Sequence, residues 1–473
     1  MTQSPGPWME RTMAALDVMP TAVRTFTEDW SGRELLDRAG GAARFLTDAG
    51  VPTSPFPCLI NPTAPSVALT LAGALTGRPT APLGVRLAAT ELAPMVQRLE
   101  SDVLVADRAN ADLAGEVAAM AGVRLAVFDE FAGAELDVVE TTPDSVLLLL
   151  HTSGTTGQPK PVPVRDSAVF HRSHPYQWHL GLAPGEIYCA TGAFHHTGGV
   201  GMFFVCFASE TGVIPLPRFS ADSWRALADL RPTCSLLVPT MIDLLLAEKA
   251  LDAVQLRALH YGTAPIHPET LSQALEALPD TNFAQAYGQT EGGPITMLPH
   301  EDHLRALAGE PHILSSIGKA VRNVELRFDD VNEDGVGELV ARAGQVFLPG
   351  PDGWLHTGDL GRIDDEGFVY LQGRMGDKII RGGENVYPLE VERVLEEHPQ
   401  VREAAVIGVE DRRWGQTLKA WVVAADPDDP PNLDDLAEYT RERLARFKVP
   451  ADWAFTEALP RNAGGKLLRR LLS

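Results

Sequence analysis

The sequence predicts an α/β protein: a large N-terminal domain of doubly wound layers with a small β-rich subdomain at its end, then a small α+β domain at the C-terminus. Three features predict it. Ala/Leu-rich helical periodicity alternates with short buried runs over the first 140 residues. From about residue 316 the texture changes to short alternating strands broken by turns. After Gly373 a segment carries its own helices, strands and apolar face.

Taken in order, SVALTLAGALTG (66–77) reads as a helix and APLGVRL (81–87) as a short apolar run. TELAPMVQRLESDVLVAD (90–107) reads as a helix running into a strand, with Leu92, Met95, Val96 and Leu99 three or four apart on one helical face. SVLLLL (145–150) is a buried strand that stops at a glycine-rich turn. CSLLVP (234–239) is another strand, followed by the helical TMIDLLLAEKAL (240–251). NVELRFDD, GELVARAG, WLHTGDL and GFVYLQG supply the β-rich unit. PLEVERVLEEH places Pro388 at a first helical position, with Val391, Val394 and Leu395 on one face. The strands VREAAVIGV (401–409) and TLKAWVVAA (417–425) follow, and after DPDDPPN comes the helix LDDLAEYTRERLARF. The division is expected between Gly373 and Arg374, giving domains 1–373 and 374–473.

Apolar residues make up 45% and charged residues 22% of the 473, an ordinary globular balance that excludes a disordered or fibrous chain. The 63 Asp+Glu against 40 Lys+Arg leave a net charge of −23, which disfavours nucleic acid and anionic membranes as partners. Cys58, Cys189, Cys206 and Cys234 are widely spaced with no C-x-x-C pair, which fits a reducing compartment. The first 20 residues lack the basic and apolar regions of a signal peptide. The longest apolar run, GGVGMFFVCFA (198–208), falls well short of the ~20 residues that span a bilayer. A cytoplasmic protein with no membrane anchor is expected.

Four segments carry chemistry. TSGTTGQPK (152–160) follows a buried strand, and its small residues let backbone N–H groups converge on an anion. Thr152, Ser153, Thr155 and Thr156 add hydroxyls and Lys160 a charge. Gly154 and Gly157 stand three apart with no GK[ST] after them, so this is not a Walker A loop. Taken alone, it is either an anion nest or a surface turn. In AYGQTEGG (286–293), Tyr287 offers a stacking face and Glu291 a hard oxygen ligand for Mg²⁺; the alternative is a core tyrosine and a solvated glutamate. In WLHTGDLGRIDDEGFVYLQGRMGDKIIRGGENVYP (354–388), Asp359 and Arg374 flank a short hairpin within reach of ribose hydroxyls, or are turn residues. In PRNAGGKLLRRLL (460–472), Lys466 follows a Gly-Gly pair; on its own this reads as a basic tail.

In this order and at these separations the four segments resemble the adenylate-forming superfamily of acyl- and aryl-CoA ligases, luciferases and nonribosomal peptide adenylation domains. The resemblance spans roughly 145–473. It implies that a carboxylic acid attacks the α-phosphate of ATP, giving an acyl-adenylate and pyrophosphate, and that a thiol or other nucleophile then displaces AMP. By this resemblance 152–160 is the phosphate loop, Tyr287 the adenine-stacking aromatic with Ala286 and Gly288 beside it, Thr290 a phosphate contact and Glu291 the Mg²⁺ ligand. Gly262, Thr263 and Ala264 in HYGTAP resemble the backbone segment beside the adenine and the acyl group. Asp359 is similar to the ribose-binding aspartate, supported by Arg374, and Lys466 to the catalytic lysine delivered by a mobile C-terminal lid. Two positions depart from the pattern. Pro161 stands where glycine is usual, and Gly376, at the hinge, where Asp or Lys is usual.

The match is closer to CoA ligases than to carrier-loading domains, and with Lys466 seven residues from the end of the sequence no carrier domain is expected to follow. RGGENVYP (381–388), with Gly382 and Gly383, resembles the loop lining a pantetheine tunnel. Trp414 in DRRWGQ and Phe447 in RFKVP resemble residues that sandwich the CoA adenine, with core packing the equal alternative. FHHTGG (194–199) resembles the segment flanking the substrate carboxylate, so His195, His196 and Tyr261 are candidates for the acid pocket together with Phe203, Phe204 and Met241, and core packing is the equal alternative for Tyr261, Phe203, Phe204 and Met241. HRSH (171–174) reads as surface or supporting residues. The expected cofactors are ATP, Mg²⁺ and CoA, and the expected partner is a small aromatic or medium acyl acid, in a monomer or homodimer. An acceptor other than CoA, as in amide formation or activation of nitrite towards an arylamine, is the alternative. A non-catalytic relic conflicts with the intact set Lys160, Glu291, Asp359, Arg374 and Lys466.

Overall fold

The computed structural model describes residues 6–153, 159–264, 266–333, 335–461 and 466–472, without the side chains of Ser153 and Pro159. The apolar runs become strands of two mainly parallel sheets. The first has six strands in the order Arg124–Phe128, Val103–Asp107, Phe56–Leu59, Thr80–Pro82, Val146–Ser153, Pro159–Arg165, all parallel except the last. The second has nine, in the order Lys319–Ala320, Gly293–Leu298, Asn282–Gln289, Ala258–Gly262, Cys234–Leu237, Ile187–Ala190, Gly212–Pro215, Val23–Arg24, Asp29–Trp30. Its members from Asn282–Gln289 to Val23–Arg24 run parallel and its outer strands antiparallel.

Two helices that are apolar all round lie in the core, as such helices must. Ala64–Leu75 is buried at every residue but Pro65 and touches strands of both sheets. Its N-terminus is capped by Thr63, whose hydroxyl accepts from Ser66 N. Val200–Phe207 is buried throughout, so Phe203 and Phe204 are core residues. The helix read from TELAPMVQRL is Ala89–Gln97 and buries Leu92, Met95 and Val96. APLGVRL yields only the end of the strand Thr80–Pro82.

The departure at Pro161 has a physical reason in this sheet. Pro159, Pro161 and Pro163 alternate along the edge strand Pro159–Arg165, opposite Ser153, His151 and Leu149. Residues of one parity share one side of the ladder, so the three missing N–H groups fall on the open edge while Lys160, Val162 and Val164 pair inward. Prolines there block edge-to-edge association without costing a ladder bond.

A four-stranded sheet follows in the order Glu325–Asp329, Gly337–Arg342, Leu355–Ile363, Val369–Arg374. The C-terminal segment has a five-stranded sheet built on the long hairpin Val401–Asp411/Gly415–Ala424, with helices Pro388–Glu396 and Leu433–Arg443. By packing, the chain forms two units. One runs to Glu325 and takes in Arg342–Leu355. The other is Leu326–Ala341 together with everything from His356 onward. Packing thus groups most of the four-stranded sheet with the C-terminal segment, whereas the sequence suggests a division at Gly373/Arg374. Among the described residues no helix is long and apolar enough to cross a membrane.

Candidate active site

In the first unit the adjacent parallel strands Ala258–Gly262 and Asn282–Gln289 end together, with Gly262 opposite Ala286. Ligands of open α/β sheets bind beyond such carboxyl ends. Gly262 is required there, because a Cβ would lie 2.2 Å from the Ala286 carbonyl oxygen. Thr263, next in the chain, is held at φ +71°, a left-handed conformation that costs a β-branched residue of order 1–3 kcal/mol. The strand then doubles back into Gly293–Leu298, with a register shift at Tyr287/Gly288. Tyr287 and Thr290 are half-buried and Ala286 partly so.

Glu291 sits in the turn of this hairpin. Its carbonyl accepts from Phe347 N (2.6 Å) and Leu348 N (3.2 Å), which fixes the backbone. Its carboxylate Oε1 accepts from the Thr152 hydroxyl at 3.1 Å. Two residues 139 apart in sequence, one expected at the phosphates and one at the metal, therefore meet. A carboxylate and a hydroxyl are hard oxygen donors of the kind Mg²⁺ takes alongside phosphate oxygens, so the pair fits that ion. Lys160 is exposed and stands opposite Thr152 across the ladder. Gly154, Thr155, Thr156, Gly157 and the Ser153 side chain lie outside the described residues.

His195 and His196 follow the strand Ile187–Ala190, with rings 4.0 Å apart. Burial, then His196 and Arg86, holds His195 down to about 3; burial alone lowers His196. Both are therefore neutral at pH 7 and offer hydrogen-bonding ring nitrogens without charge. Among the described residues no group of three or more His, Cys, Asp or Glu could hold a metal. Tyr261 is a core residue, 1% exposed, and its hydroxyl is committed. It donates to His303 Nε2 (2.8 Å), while His303 Nδ1 donates to the Pro299 carbonyl (2.8 Å). Burial lowers His303 to about 4, consistent with that neutral tautomer. His303, 42 residues downstream in the surface-like stretch HEDHLRAL, gave no signal in the sequence.

The second unit gathers the ribose candidates. Asp359 and Arg374 are opposite each other in the ladder, and Arg374 Nε donates to Asp359 Oδ1 at 2.5 Å and Nη2 to Oδ2 at 3.3 Å. Asp359 is 5% exposed, so the guanidinium compensates a buried charge. Gly376 lies in the short turn Met375–Asp377, outside the left-handed region, and a Cβ there meets nothing within 4 Å. Its glycine is not demanded by this conformation. Gly376→Asp is therefore expected to keep the fold and to hold or raise Tm, by about 0.4–1 kcal/mol of reduced unfolded-state freedom. A Tm lowered by several degrees in thermal melts would contradict this.

Gly382 (φ +63°) and Gly383 (φ +93°) form the two-residue turn between Arg381 and Glu384, the geometry of a type I′ hairpin. Three segments singled out in the sequence converge here. Gly382 N donates to the Trp414 carbonyl (2.8 Å), and Arg381 Nη1 donates to the carbonyls of Phe447 (2.9 Å) and Val449 (2.8 Å). Trp414 is 43% exposed, with the Arg413 guanidinium over its ring, whereas Phe447 packs against the domain core. Lys466 is exposed, next to the bridge that pairs Leu467 with Arg461.

The AMP-binding enzyme family model matches residues 13–349 and the AMP-binding enzyme C-terminal domain matches 390–466. The chain is 37% identical over 359 residues to the fatty acid–[acyl-carrier-protein] ligase ScoC of Streptomyces coeruleorubidus, covering 70% of this chain and 68% of that one. It is 33% identical over 468 residues to the long-chain-fatty-acid–CoA ligase FadD13 of Mycobacterium tuberculosis, covering 92% and 90%. Among solved structures, the amide bond synthetase McbA of Marinactinospora thermotolerans superposes with a TM-score of 0.88 at 27% identity, over 98% of this chain and 99% of that one. With its two matched domains in order and the Thr152 hydroxyl on the Glu291 carboxylate, the chain belongs to the AMP-binding enzyme family, within the adenylate-forming superfamily.

Proposed function

We propose that this chain is an ATP-dependent, AMP-forming ligase that adenylates an aromatic or medium-chain acyl carboxylic acid and transfers it to CoA. The observation that carries the reading is the meeting of the Thr152 hydroxyl and the Glu291 carboxylate. The acid's carboxylate attacks the α-phosphorus, the bond to the bridging oxygen breaks, and pyrophosphate leaves. Tyr287, Ala286, Gly288 and the 262–264 segment orient the nucleotide. Asp359, held by Arg374, takes the ribose diol. Thr152, Thr290 and Lys160, with the loop residues Ser153, Gly154, Thr155, Thr156 and Gly157, hold the phosphates. Mg²⁺ on Glu291 would offset phosphate charge. His195 and His196 flank the acid. Lys466 stabilises the charge that builds on the bridging oxygen, which is greater in the transition state than in the ground state.

In the second step the 374–473 lid turns about Gly376. The CoA thiolate attacks the acyl carbon and AMP leaves. Gly382, Gly383, Trp414 and Phe447 line the acceptor side, with the exposed Trp414 ring as the base-stacking surface and Phe447 as its support. A second reading, an amine acceptor and an amide product, is favoured by the full-length likeness to an amide bond synthetase and by Gly376 at the pivot.

The test is AMP release from Mg-ATP over a panel of aryl, alkyl and small inorganic acids, with CoA, an arylamine or neither. Fast release that needs both one acid and CoA is the expected result. Release that needs the amine and ignores CoA would assign the second reading.

A further inference from the structure

The helix Pro388–Glu396 buries more than its apolar stripe. Glu392 is 4% exposed although it lies between Val391 and Arg393 in the sequence. Val401–Asp411 is an edge strand of the five-stranded sheet, and its outward N–H groups lack a neighbouring strand. Two carboxylates one helical turn apart supply the missing acceptors. Glu392 Oε1 accepts from Val406 N at 2.7 Å, and Glu396 Oε1 accepts from Ala404 N at 3.0 Å. This use of carboxylates caps an edge. It leaves Glu392 with capacity for a cation, and Arg469 fills it: Nη2 donates to both Oε1 and Oε2 at 2.6 Å.

Arg469 is three residues beyond Lys466. Its Nε also lies 4.0 Å from Asp377, the residue after Gly376. Arg461, five residues before Lys466, is held as well. Arg461 pairs with Glu403 at 2.5 Å, Leu467 bridges to Arg461, and Leu468 N donates to the Pro460 carbonyl at 2.8 Å. Leu459 and Leu472 sit in a small apolar cluster with Ala405 and Val423, and Leu467 packs against it. Two arginines thus clamp the segment that carries Lys466, one of them onto a buried carboxylate. Burial raises Glu392 to about 7, and the Arg469 guanidinium is the largest influence opposing it, so the carboxylate depends on this arginine for its charge.

We propose that Arg469, docked on Glu392, is a positioning residue that sets Lys466 for the adenylation step. The proposal rests on the assignment of Lys466 given above. Arg469 touches no substrate; its effect passes through the lysine.

The test measures the half-reactions separately in the full chain, using the acid and acceptor that give the fastest AMP release in the panel above. Adenylation is read as acid-dependent exchange of pyrophosphate into ATP, and transfer is read from supplied acyl-adenylate. Arg469→Met and, as a second variant, the isosteric Glu392→Gln are each expected to slow adenylation ~10–10²-fold, the size of effect an ångström of misplacement produces. Transfer stays within about twofold of the parent, and Arg469→Lys recovers part of the adenylation. Combining Arg469→Met with Lys466→Ala adds no further loss to Lys466→Ala alone. Hydrogen exchange at the Leu468 and Leu472 amides rises while the helix 388–396 stays protected. Equal losses in both half-reactions, a multiplicative loss in the double variant, or unchanged exchange at the tail would overturn the proposal. Unchanged adenylation in Lys466→Ala alone would instead overturn the lysine assignment.

Discussion

Lys466→Ala is expected to lower acid-dependent adenylate formation by about 10²–10³-fold, or roughly 3–4 kcal/mol of transition-state stabilisation. The loss should fall on the rate and spare nucleotide affinity. As pyrophosphate departs, charge shifts onto the bridging oxygen, and an ammonium there acts on charge that the ground state does not yet carry. Nucleotide affinity is assigned to other residues, chiefly Tyr287, Asp359 and the 152–160 loop. Transfer from supplied adenylate should persist, because the lysine has no role once AMP is the leaving group. Rapid-quench measurement of adenylate formation alongside equilibrium ATP binding checks both halves. A variant that loses binding and rate together would place Lys466 in ground-state recognition.

Gly288→Ala should have an effect of similar size through geometry. A Cβ there would lie 1.9 Å from the Gly293 carbonyl oxygen, with two further backbone atoms of Gly293 and Pro294 at 2.7 and 3.0 Å. No flexible side chain can yield, so the hairpin between Asn282–Gln289 and Gly293–Leu298 must open. That displaces Tyr287 on one side and Thr290 and Glu291 on the other. We expect a stability loss of about 1–3 kcal/mol, the usual cost of overpacking, together with severely weakened ATP binding. Thermal melts with and without Mg-ATP check it: the variant melts lower and loses the ligand-induced rise in Tm. A variant with full ligand stabilisation would mean that the turn is not the nucleotide site.

Much of this was legible in the sequence because the signals are local. The strand SVLLLL and the helices at 66–77, 388–398 and 433–447 announce themselves through apolar period and flanking turns, and the structure places elements at Val146–Ser153, Ala64–Leu75, Pro388–Glu396 and Leu433–Arg443. What was hidden depends on partners far along the chain. Periodicity put Val394 on the buried face of its helix, yet Glu392 is buried and Val394 only half so. The cause is Arg469, 77 residues away, together with an unpaired strand edge. From the sequence Tyr261 reads equally well as pocket or core, and His303 on its hydroxyl is the partner that sequence proximity does not show. Pro161 looked like a modified phosphate loop. Its alternation with Pro159 and Pro163 acquires meaning only once that strand is known to be the sheet edge. The Gly382–Gly383 pair is what a hairpin turn needs irrespective of any ligand, so residue type alone does not separate its structural from its functional role.

The central claim is that the chain activates a carboxylic acid by adenylation. The measurement that tests it most directly is exchange of labelled pyrophosphate into ATP with no acceptor present, across fatty and aryl acids. Exchange that requires both an acid and Mg²⁺, with AMP as the nucleotide product once an acceptor is added, is the predicted result. Production of ADP and phosphate, or exchange that is indifferent to the acid, would contradict it.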